Sequence, residues 1–264
     1  MDIAVTGATG EVGRRVAAQL DNPRLVVRDA SRAPVGADVR VASSYGALDE
    51  MTEALTGADT VFLIPAAESA DRVSQHKTAV DAAVAAGVAR IVYLSFLNAA
   101  PDATFTLARH HWATEQHIRA TGLTWTFLRM NLYMDFIPSM AVDGVIRGPA
   151  GDGRVAAILR EDVAEAAAAV LTTAGHDGRT YDLTGPGAFS LADAAELLGA
   201  RFEDETDDEA YTSRSVYGAP DWEVEGWVTS YQAIRDGSFD VVSPAVRELT
   251  GREPTSLRDY IART

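Results

Sequence analysis

The sequence contains no cysteine. This absence excludes a disulfide framework, a thiolate metal site and a cysteine nucleophile. Long hydrophobic runs are also missing, since the longest apolar stretch, AEAAAAVLTTAG, is too short to span a bilayer. No basic region precedes the first apolar run, so we do not expect a signal peptide. The simplest interpretation is a cytoplasmic protein that makes no membrane contact.

Positive charge is scarce. The chain carries 23 Lys and Arg residues against 38 Asp and Glu residues, which gives a formal net charge of -15. Such a charge repels a phosphate backbone, so we expect no binding to nucleic acid. Part of the negative charge lies in the run EDETDDE, from Glu203 to Glu209. This run is interpreted as a solvated loop, with an acidic docking surface as the alternative.

Apolar runs typical of buried strands alternate with amphipathic stretches in the first half of the chain. The runs are IAVTG, LVV, VRVA, TVFLIP, RIVYLS and TWTFLR, and the predicted helices are Glu11 to Leu20, Leu48 to Leu55, Ala70 to Ala86 and Leu107 to Thr121. Regular alternation predicts right-handed βαβ crossovers and a parallel sheet covered on both faces. The predicted fold class is therefore α/β, with a doubly wound, Rossmann-type parallel sheet.

The alternation breaks after about Leu128. The stretch GVIRGPAGDGRVAAI predicts two short strands around a turn, and Ser190 with Asp193 forms a capping-box pattern at the start of a helix. No long linker is visible. We therefore predict an NAD(P)-binding domain over residues 1–135 and a smaller α+β lobe over residues 136–264 that supplies the substrate pocket, in a single compact unit.

The segment TGATGEVG contains three glycines at three-residue spacing, where the first strand turns into the first helix. Glycines at these places permit the tight turn, the close approach of a pyrophosphate and the packing of the helix on the sheet. Free N–H groups at the start of the helix then bind the anion. The segment thus predicts dinucleotide contacts at Gly7, Ala8, Thr9, Gly10, Glu11, Val12 and Gly13.

The spacing G-x-x-G-x-x-G resembles the atypical, extended short-chain dehydrogenase/reductases. The stretches YLSFLNA, EQHIRATGLTWTFLRMNLYMD, GPAGDGRVAAILREDVAEAAAAVL and AGHDGRTYDLTG are similar to segments of the NmrA-like group, especially the type-2 quinone oxidoreductases. The C-terminal stretch that begins GWVTSYQAIRDG is also similar to bacterial members of that group. The resemblance covers nearly the whole chain and implies an NAD(P)H-dependent reductase.

The choice between the two nicotinamide dinucleotides depends on the end of the second strand, LVVRDASR. An arginine suits a 2′-phosphate, whereas an acidic residue binds a free ribose hydroxyl. In the enzymes that this chain resembles, the residue in the place of Arg28 contacts the 2′-phosphate, and Arg32 lies close by in the sequence. We therefore predict that NADP(H) is preferred, while Asp29 leaves NAD(H) as an alternative.

Further cofactor contacts follow from the resemblance alone. One set matches a loop under the ribose and pyrophosphate, a second set lies beside the nicotinamide, and one arginine reaches the cofactor region. These residues are Pro65, Ala66 and Ala67, then Asn131 and Tyr133, and finally Arg160. No set of His, Asp and Glu residues has convincing metal-ligand spacing, so no metal site is predicted.

The catalytic pattern departs from that of typical short-chain reductases. The serine position is Ser95, but the positions of the tyrosine and lysine hold His111 and Glu115. In one interpretation, Glu115 holds His111 on the same helix face and the histidine donates a proton near neutral pH. In the other, His111 is only part of the pocket wall, because a reduced quinone oxygen can take its proton from solvent.

Two functions remain open from the sequence. The first is hydride transfer from NAD(P)H to a small quinone-like or aromatic acceptor that is easily reduced. The second is a non-catalytic, NAD(P)-binding redox sensor of the NmrA type, which would act through a protein partner. The resemblance also implies a homodimer. The histidines His76, His110 and His117 are interpreted as solvated side chains without function.

Overall fold

The computed structural model describes residues 2–263. Its chain forms two compact units, each discontinuous in sequence. The first unit combines the chain up to Phe96 with His110–Arg129 and Val163–Tyr181. The second unit combines Leu97–Arg109, Met130–Asp162 and the chain from Asp182 onwards.

The first half of the chain alternates between strands and helices, as the apolar runs predict, except that only a 3₁₀ turn separates the second strand from the third. The strands are β1 (Ile3–Thr6), β2 (Arg24–Val27), β3 (Val39–Val41), β4 (Thr60–Leu63), β5 (Arg90–Phe96) and β6 (Thr124–Met130). The helices are α1 (Glu11–Ala17), α2 (Leu48–Leu55), α3 (Arg72–Ala85) and α4 (Thr106–Ala120), with a 3₁₀ turn at Ala30–Arg32.

A seven-stranded sheet has the order β3-β2-β1-β4-β5-β6-β9, where β9 is Arg179–Leu183. The pairs from β3 to β5 are parallel. Residues of β2 and β4 are buried throughout because helices cover the sheet. In the first unit, Val26, Val61, Ile91 and Phe127 belong to one hydrophobic core. The predicted doubly wound α/β fold is confirmed.

The second half of the chain consists of shorter elements. Its strands before and after β9 are β7 (Val145–Gly148), β8 (Arg154–Val155), β10 (Phe189–Ser190) and β11 (Arg201–Asp204). Its helices are α5 (Arg160–Thr172), α6 (Leu191–Leu197), α7 (Asp207–Ser215), α8 (Asp221–Arg235), α9 (Ala245–Thr250) and α10 (Leu257–Ile261), with a 3₁₀ segment at Met134–Met140. Both bonds of the predicted capping box form between Ser190 and Asp193.

Two features of this half were not predicted from the sequence. Strands β7 and β8 do not pair with each other, since β7 pairs with β11 and β8 with β10. The strand β9 belongs to the large sheet although it follows residue 135. The division of roles between residues 1–135 and 136–264 stays a prediction.

Among the described residues, no helix has the length and the apolar character needed to cross a membrane.

Candidate cofactor site

The glycine-rich turn joins β1 to α1. Gly7 has a positive φ of 57°, a conformation that favours glycine, and the N–H of Gly10 donates to its carbonyl oxygen at 2.9 Å. A Cβ atom on Gly13 would lie 2.3 Å from that same oxygen. The helix can therefore approach the turn this closely only because position 13 is glycine.

A cavity of about 540 Å³ lies in the first unit, at the carboxyl ends of four adjacent strands. Gly7 follows β1, Arg28 follows β2, Ala42 follows β3 and Ile64 follows β4, and all four line the cavity. Ligands of open α/β sheets bind at this edge of the sheet. The volume is within the range of small-molecule and cofactor sites.

The cavity brings together eight of the residues predicted to bind cofactor. The glycine-rich turn, the end of β2 and the loop after β4 contribute them: Gly7, Thr9, Gly10, Arg28, Arg32, Pro65, Ala66 and Ala67. These residues fit a dinucleotide, because the turn leaves its wall free of side-chain bulk and the arginines supply positive charge.

The other predicted residues of the turn do not line the cavity. Ala8, Val12 and Gly13 are buried, as the packing of α1 on the sheet requires. Glu11 is exposed and bonds to Arg14 and Arg15, and these hydrogen bonds lower the pKa of its carboxyl to about 2.

After the end of β2, two arginines line the cavity but the acidic residue between them does not. Arg28 and Arg32 line the cavity. The carboxylate of Asp29 instead accepts hydrogen bonds from the backbone N–H and hydroxyl of Ser31, at 2.9 and 2.7 Å. These bonds lower the pKa of Asp29 and cap the 3₁₀ turn that carries Arg32.

Four polar or aromatic side chains of the cavity wall were not predicted from the sequence. Ser44 and Tyr45 come from the chain after β3. Ser69 lies in the loop before α3, and Gln75 lies in the first turn of that helix. Tyr45 donates its hydroxyl proton to the carbonyl oxygen of Ile64 at 2.8 Å. Ser44 and Tyr45 could have been predicted from their position shortly after an apolar run, because ligands of open α/β sheets bind at the carboxyl ends of the strands.

Ser95 and Glu115 belong to a buried hydrogen-bond network. The carboxylate of Glu115 is fully buried and accepts two hydrogen bonds from the guanidinium of Arg129, at 2.8 and 2.7 Å. Ser95 donates its hydroxyl proton to the same carboxylate at 2.6 Å. The contact of Glu115 with His111 that one of the two catalytic interpretations assumes is thus replaced by an ion pair to β6, because Arg129 offers a bidentate partner.

His111 is buried beside aromatic rings of β5. Its Nδ1 lies 2.9 Å from the hydroxyl oxygen of Tyr93, and its ring centroid lies 5.9 Å from that of Phe96. Burial, followed by the positive charge of Arg72, lowers the pKa of His111 well below its usual value of 6.5. The ring is therefore neutral at pH 7.

His76 is fully buried, so the expectation of a solvated side chain was wrong for this residue. Its Nε2 accepts a hydrogen bond from the N–H of Ala66 at 2.9 Å, and its Nδ1 lies 2.9 Å from the hydroxyl of Thr114. His117 lies nearer the surface, where its Nε2 bonds to Asp81 at 2.7 Å.

Asn131, Tyr133 and Arg160 belong to the second unit. Asn131 is fully buried and donates through Nδ2 to the carbonyl oxygen of Phe239 at 3.0 Å. The guanidinium of Arg160 lies 4.1 Å from the ring centroid of Tyr133, a cation–π contact, and its Nη1 is 3.6 Å from the carboxylate of Asp135. The structure thus brings Tyr133 and Arg160 together.

Within residues 2–263, no group of three or more His, Cys, Asp or Glu side chains is arranged to hold a metal ion.

Comparison with known proteins gives consistent matches. The NAD(P)H-binding family model matches residues 7–174. A (4-alkanoyl-5-oxo-2,5-dihydrofuran-3-yl)methyl phosphate reductase from Streptomyces griseus is 37% identical, over 98% of this chain and 96% of the relative. Quinone oxidoreductase 2 from Escherichia coli is 34% identical, over 98% and 97% of the two chains.

Solved structures agree with these sequence matches. The structure of an Escherichia coli NADPH-dependent quinone oxidoreductase complexed with NADPH has a TM-score of 0.91 and 31% identity, and 99% of each chain is covered. The negative transcriptional regulator NmrA has a TM-score of 0.75 at 17% identity, over 98% of this chain and 94% of NmrA, which shows a shared fold alone.

Proposed function

This chain belongs to the NAD(P)H-binding family and is an NAD(P)H-dependent reductase of a small molecule, and from that premise we propose that it transfers hydride from NADPH to a quinone-like acceptor. The observation that carries the proposal is the cavity at the carboxyl ends of β1 to β4, which combines the glycine-rich turn with two arginines. A bound nicotinamide would supply the hydride, that is, two electrons and one proton.

The preference for NADPH rests on the end of β2. Arg28 and Arg32 face the cavity and would hold a 2′-phosphate through charge-assisted hydrogen bonds. Asp29, the residue that favours NADH, already bonds to Ser31. The backbone around Gly7 and Gly10 would hold the pyrophosphate, with the loop Pro65–Ala67 on the far side of the turn.

For the chemical step, we propose that no side chain acts as the general acid. His111 is neutral and buried, and its Nδ1 bonds to Tyr93. The hydroxyl of Ser95 and the guanidinium of Arg129 both bond to the carboxylate of Glu115, so Ser95 and Glu115 have their partners within the protein. These three residues would shape the site, and solvent would protonate the reduced oxygen.

A site without a strong acid suits acceptors whose reduced form is a stabilised anion. Hydride addition to a quinone gives a phenolate-like oxygen, which water protonates to complete the hydroquinone. A furanone ring whose C=C bond is conjugated with two carbonyl groups gives a stabilised enolate in the same way. The match to the Streptomyces griseus reductase makes such a furanone the second candidate substrate.

The sensor alternative has less support. Both sequence relatives described above are reductases, and the likeness to NmrA concerns the fold alone. We also propose that residues 1–135 supply the cofactor site and residues 136–264 the acceptor pocket. The homodimer and the cytoplasmic location expected from the sequence belong to this proposal.

A panel of acceptors tests the proposed function. Purified protein would be mixed with NADPH and, in turn, with a quinone, a carbonyl-substituted furanone and a simple aliphatic ketone, while the absorbance of the reduced nicotinamide is followed. We expect consumption of NADPH with the first two acceptors and none with the ketone. Consumption with the ketone alone would contradict the absence of a side-chain acid.

A further inference from the structure

Both backbone polar groups of Ala66, its N–H and its carbonyl oxygen, are hydrogen-bonded to side chains of one face of α3. His76 Nε2 accepts a hydrogen bond from the N–H of Ala66 at 2.9 Å, and Arg72 Nε donates to the carbonyl oxygen of Ala66 at 3.0 Å. Arg72 and His76 are four residues apart, so their side chains lie on the same helix face. Both are buried, whereas Ala66 lines the cavity.

The hydrogen bonds of His76 define its tautomer. The backbone N–H of Ala66 can only donate, so Nε2 must be the unprotonated nitrogen. The hydroxyl of Thr114 donates to the carbonyl oxygen of His110 at 2.9 Å, so it accepts from His76 Nδ1, which therefore carries the proton. The ring is neutral, in agreement with burial, which lowers the pKa of His76 to about 3.

His76 thus links two parts of the first unit. Through Nε2 it holds the loop after β4, and through Nδ1 it is tied to Thr114 on α4. A leucine could fill the same space but would leave the N–H of Ala66 without its acceptor, and an unpaired buried donor is costly. The polar ring is therefore explained by the loop that it holds.

We propose that His76 is a positioning residue for cofactor binding, because its neutral ring fixes the wall formed by Pro65, Ala66 and Ala67. This inference rests on the proposed function, since the ligand of that wall is taken to be NADPH. His76 does not line the cavity and acts only through the backbone of Ala66.

The sheet order indicates which part of a ligand meets this wall. Arg28 follows β2 and Ala66 follows β4, and β1 lies between these strands. Strands are about 4.8 Å apart, so the two places are separated by about 10 Å. A ligand whose 2′-phosphate binds Arg28 reaches the wall only if it extends past the glycine-rich turn. NADPH is long enough, whereas adenosine 2′-monophosphate ends before the pyrophosphate.

The test compares these two ligands by isothermal titration calorimetry. We expect His76→Leu to raise the Kd for NADPH about tenfold, and to leave the Kd for adenosine 2′-monophosphate unchanged. His76→Gln restores an acceptor for the N–H of Ala66 and is expected to recover part of the affinity. The control is Thr126→Val. This variant removes the hydroxyl of a buried threonine that donates to the carbonyl oxygen of His176, and Thr126 does not line the cavity.

Hydrogen exchange of the unliganded protein provides a readout that does not involve NADPH. The amide of Ala66 is expected to exchange faster in His76→Leu than in the wild type and in Thr126→Val. If His76→Leu does not fold, Thr114→Val is used instead, because it removes the hydrogen bond between His76 Nδ1 and the hydroxyl of Thr114. We then expect a smaller loss of NADPH affinity, again without a change for adenosine 2′-monophosphate.

Three results would overturn the inference. The first is an unchanged Kd for NADPH in His76→Leu, or in Thr114→Val where that variant is used. The second is an equal loss for both ligands, which indicates general disruption. The third is a wild type that binds neither ligand, which would remove the proposed function as well. A wild type that binds NADPH, with a variant that binds it equally well, rejects the role of His76 alone.

Discussion

Arg28 carries the cofactor preference at the scale of a single residue. We expect Arg28→Ala to raise the Kd for NADPH by a factor of about ten to one hundred, because a charge-assisted hydrogen bond contributes about 1.5–3 kcal/mol. The Kd for NADH should change little. Arg40→Ala is the control, since Arg40 is an exposed arginine that pairs with Asp38. Equal losses of NADPH and NADH affinity in Arg28→Ala would contradict the assignment.

His111 separates the two catalytic interpretations. If solvent is the proton source, His111→Gln should keep kcat with a quinone within about threefold, whereas loss of a general acid costs about a hundredfold or more. Tyr93→Phe is the matched variant, because it removes the hydroxyl bonded to His111 and leaves the imidazole in place. A large fall of kcat in His111→Gln but not in Tyr93→Phe would restore the acid role.

Residues whose role depends on local sequence could be predicted, and those with distant partners could not. Gly7 and Arg28 follow strands directly, so the pattern of strand, turn and helix was sufficient to place them at the cavity. One of the two catalytic interpretations placed Glu115 against His111 because the two are one helical turn apart, but its partner Arg129 comes from β6. The packing of α4 beside β6 brings those two residues together, and the sequence pattern does not show it.

At the scale of an element, the turn between β1 and α1 determines how closely α1 approaches the turn. We expect Gly13→Ala to lower the free energy of unfolding by about 1–3 kcal/mol, because the new Cβ would lie 2.3 Å from the carbonyl oxygen of Gly7. NADPH affinity should fall as well, since the turn must move. Both quantities can be measured by urea unfolding and calorimetric titration.

Gly187→Ala is the control for this substitution, since a Cβ there meets no atom within 4 Å. It should leave both quantities unchanged. Wild-type stability and affinity in Gly13→Ala would show that the close approach of α1 is not required.

Elements of the second half were harder to predict than those of the first. The acidic run from Glu203 to Glu209 was interpreted as a solvated loop, but it contains the end of β11 and the start of α7. Thr206 and Glu209 form a capping box there. This pattern predicts the start of a helix, but the many acidic residues around it favoured the interpretation as a loop. The pairing of β7 with β11 depends on contacts across more than fifty residues, which the sequence pattern does not contain.

At the scale of the whole molecule, buried histidines make the stability depend on pH. The pKa of His76 falls from 6.5 to about 3 on folding, and that of His111 falls well below 6.5. Between those values the unfolded chain binds more protons than the folded one, so stability decreases as the pH is lowered below about 6.5. Each histidine contributes up to about 1.4 kcal/mol per pH unit.

Urea midpoints at pH 7.5, 6.5 and 5.5 test this linkage. We expect the midpoint to fall slightly between pH 7.5 and 6.5, where the histidines of the unfolded chain become half protonated, and to fall further between pH 6.5 and 5.5. His111→Gln should show a smaller fall because it lacks one of these groups. Carboxylates such as Glu11, with a usual pKa of 4.5 and a value of about 2 in the folded protein, act in the same direction only at lower pH. A midpoint that rises at pH 5.5 would contradict the burial of neutral histidines.

The transfer of hydride to a quinone is the central claim for the molecule as a whole. It is tested most directly by anaerobic mixing of the protein with stoichiometric NADPH deuterated at C4 and 1,4-naphthoquinone, with the nicotinamide and hydroquinone signals followed together. We predict one hydroquinone formed for each NADPH consumed, at a rate slowed by the deuterium. NADPH that binds tightly but is not oxidised by the quinone would contradict this function and favour the sensor.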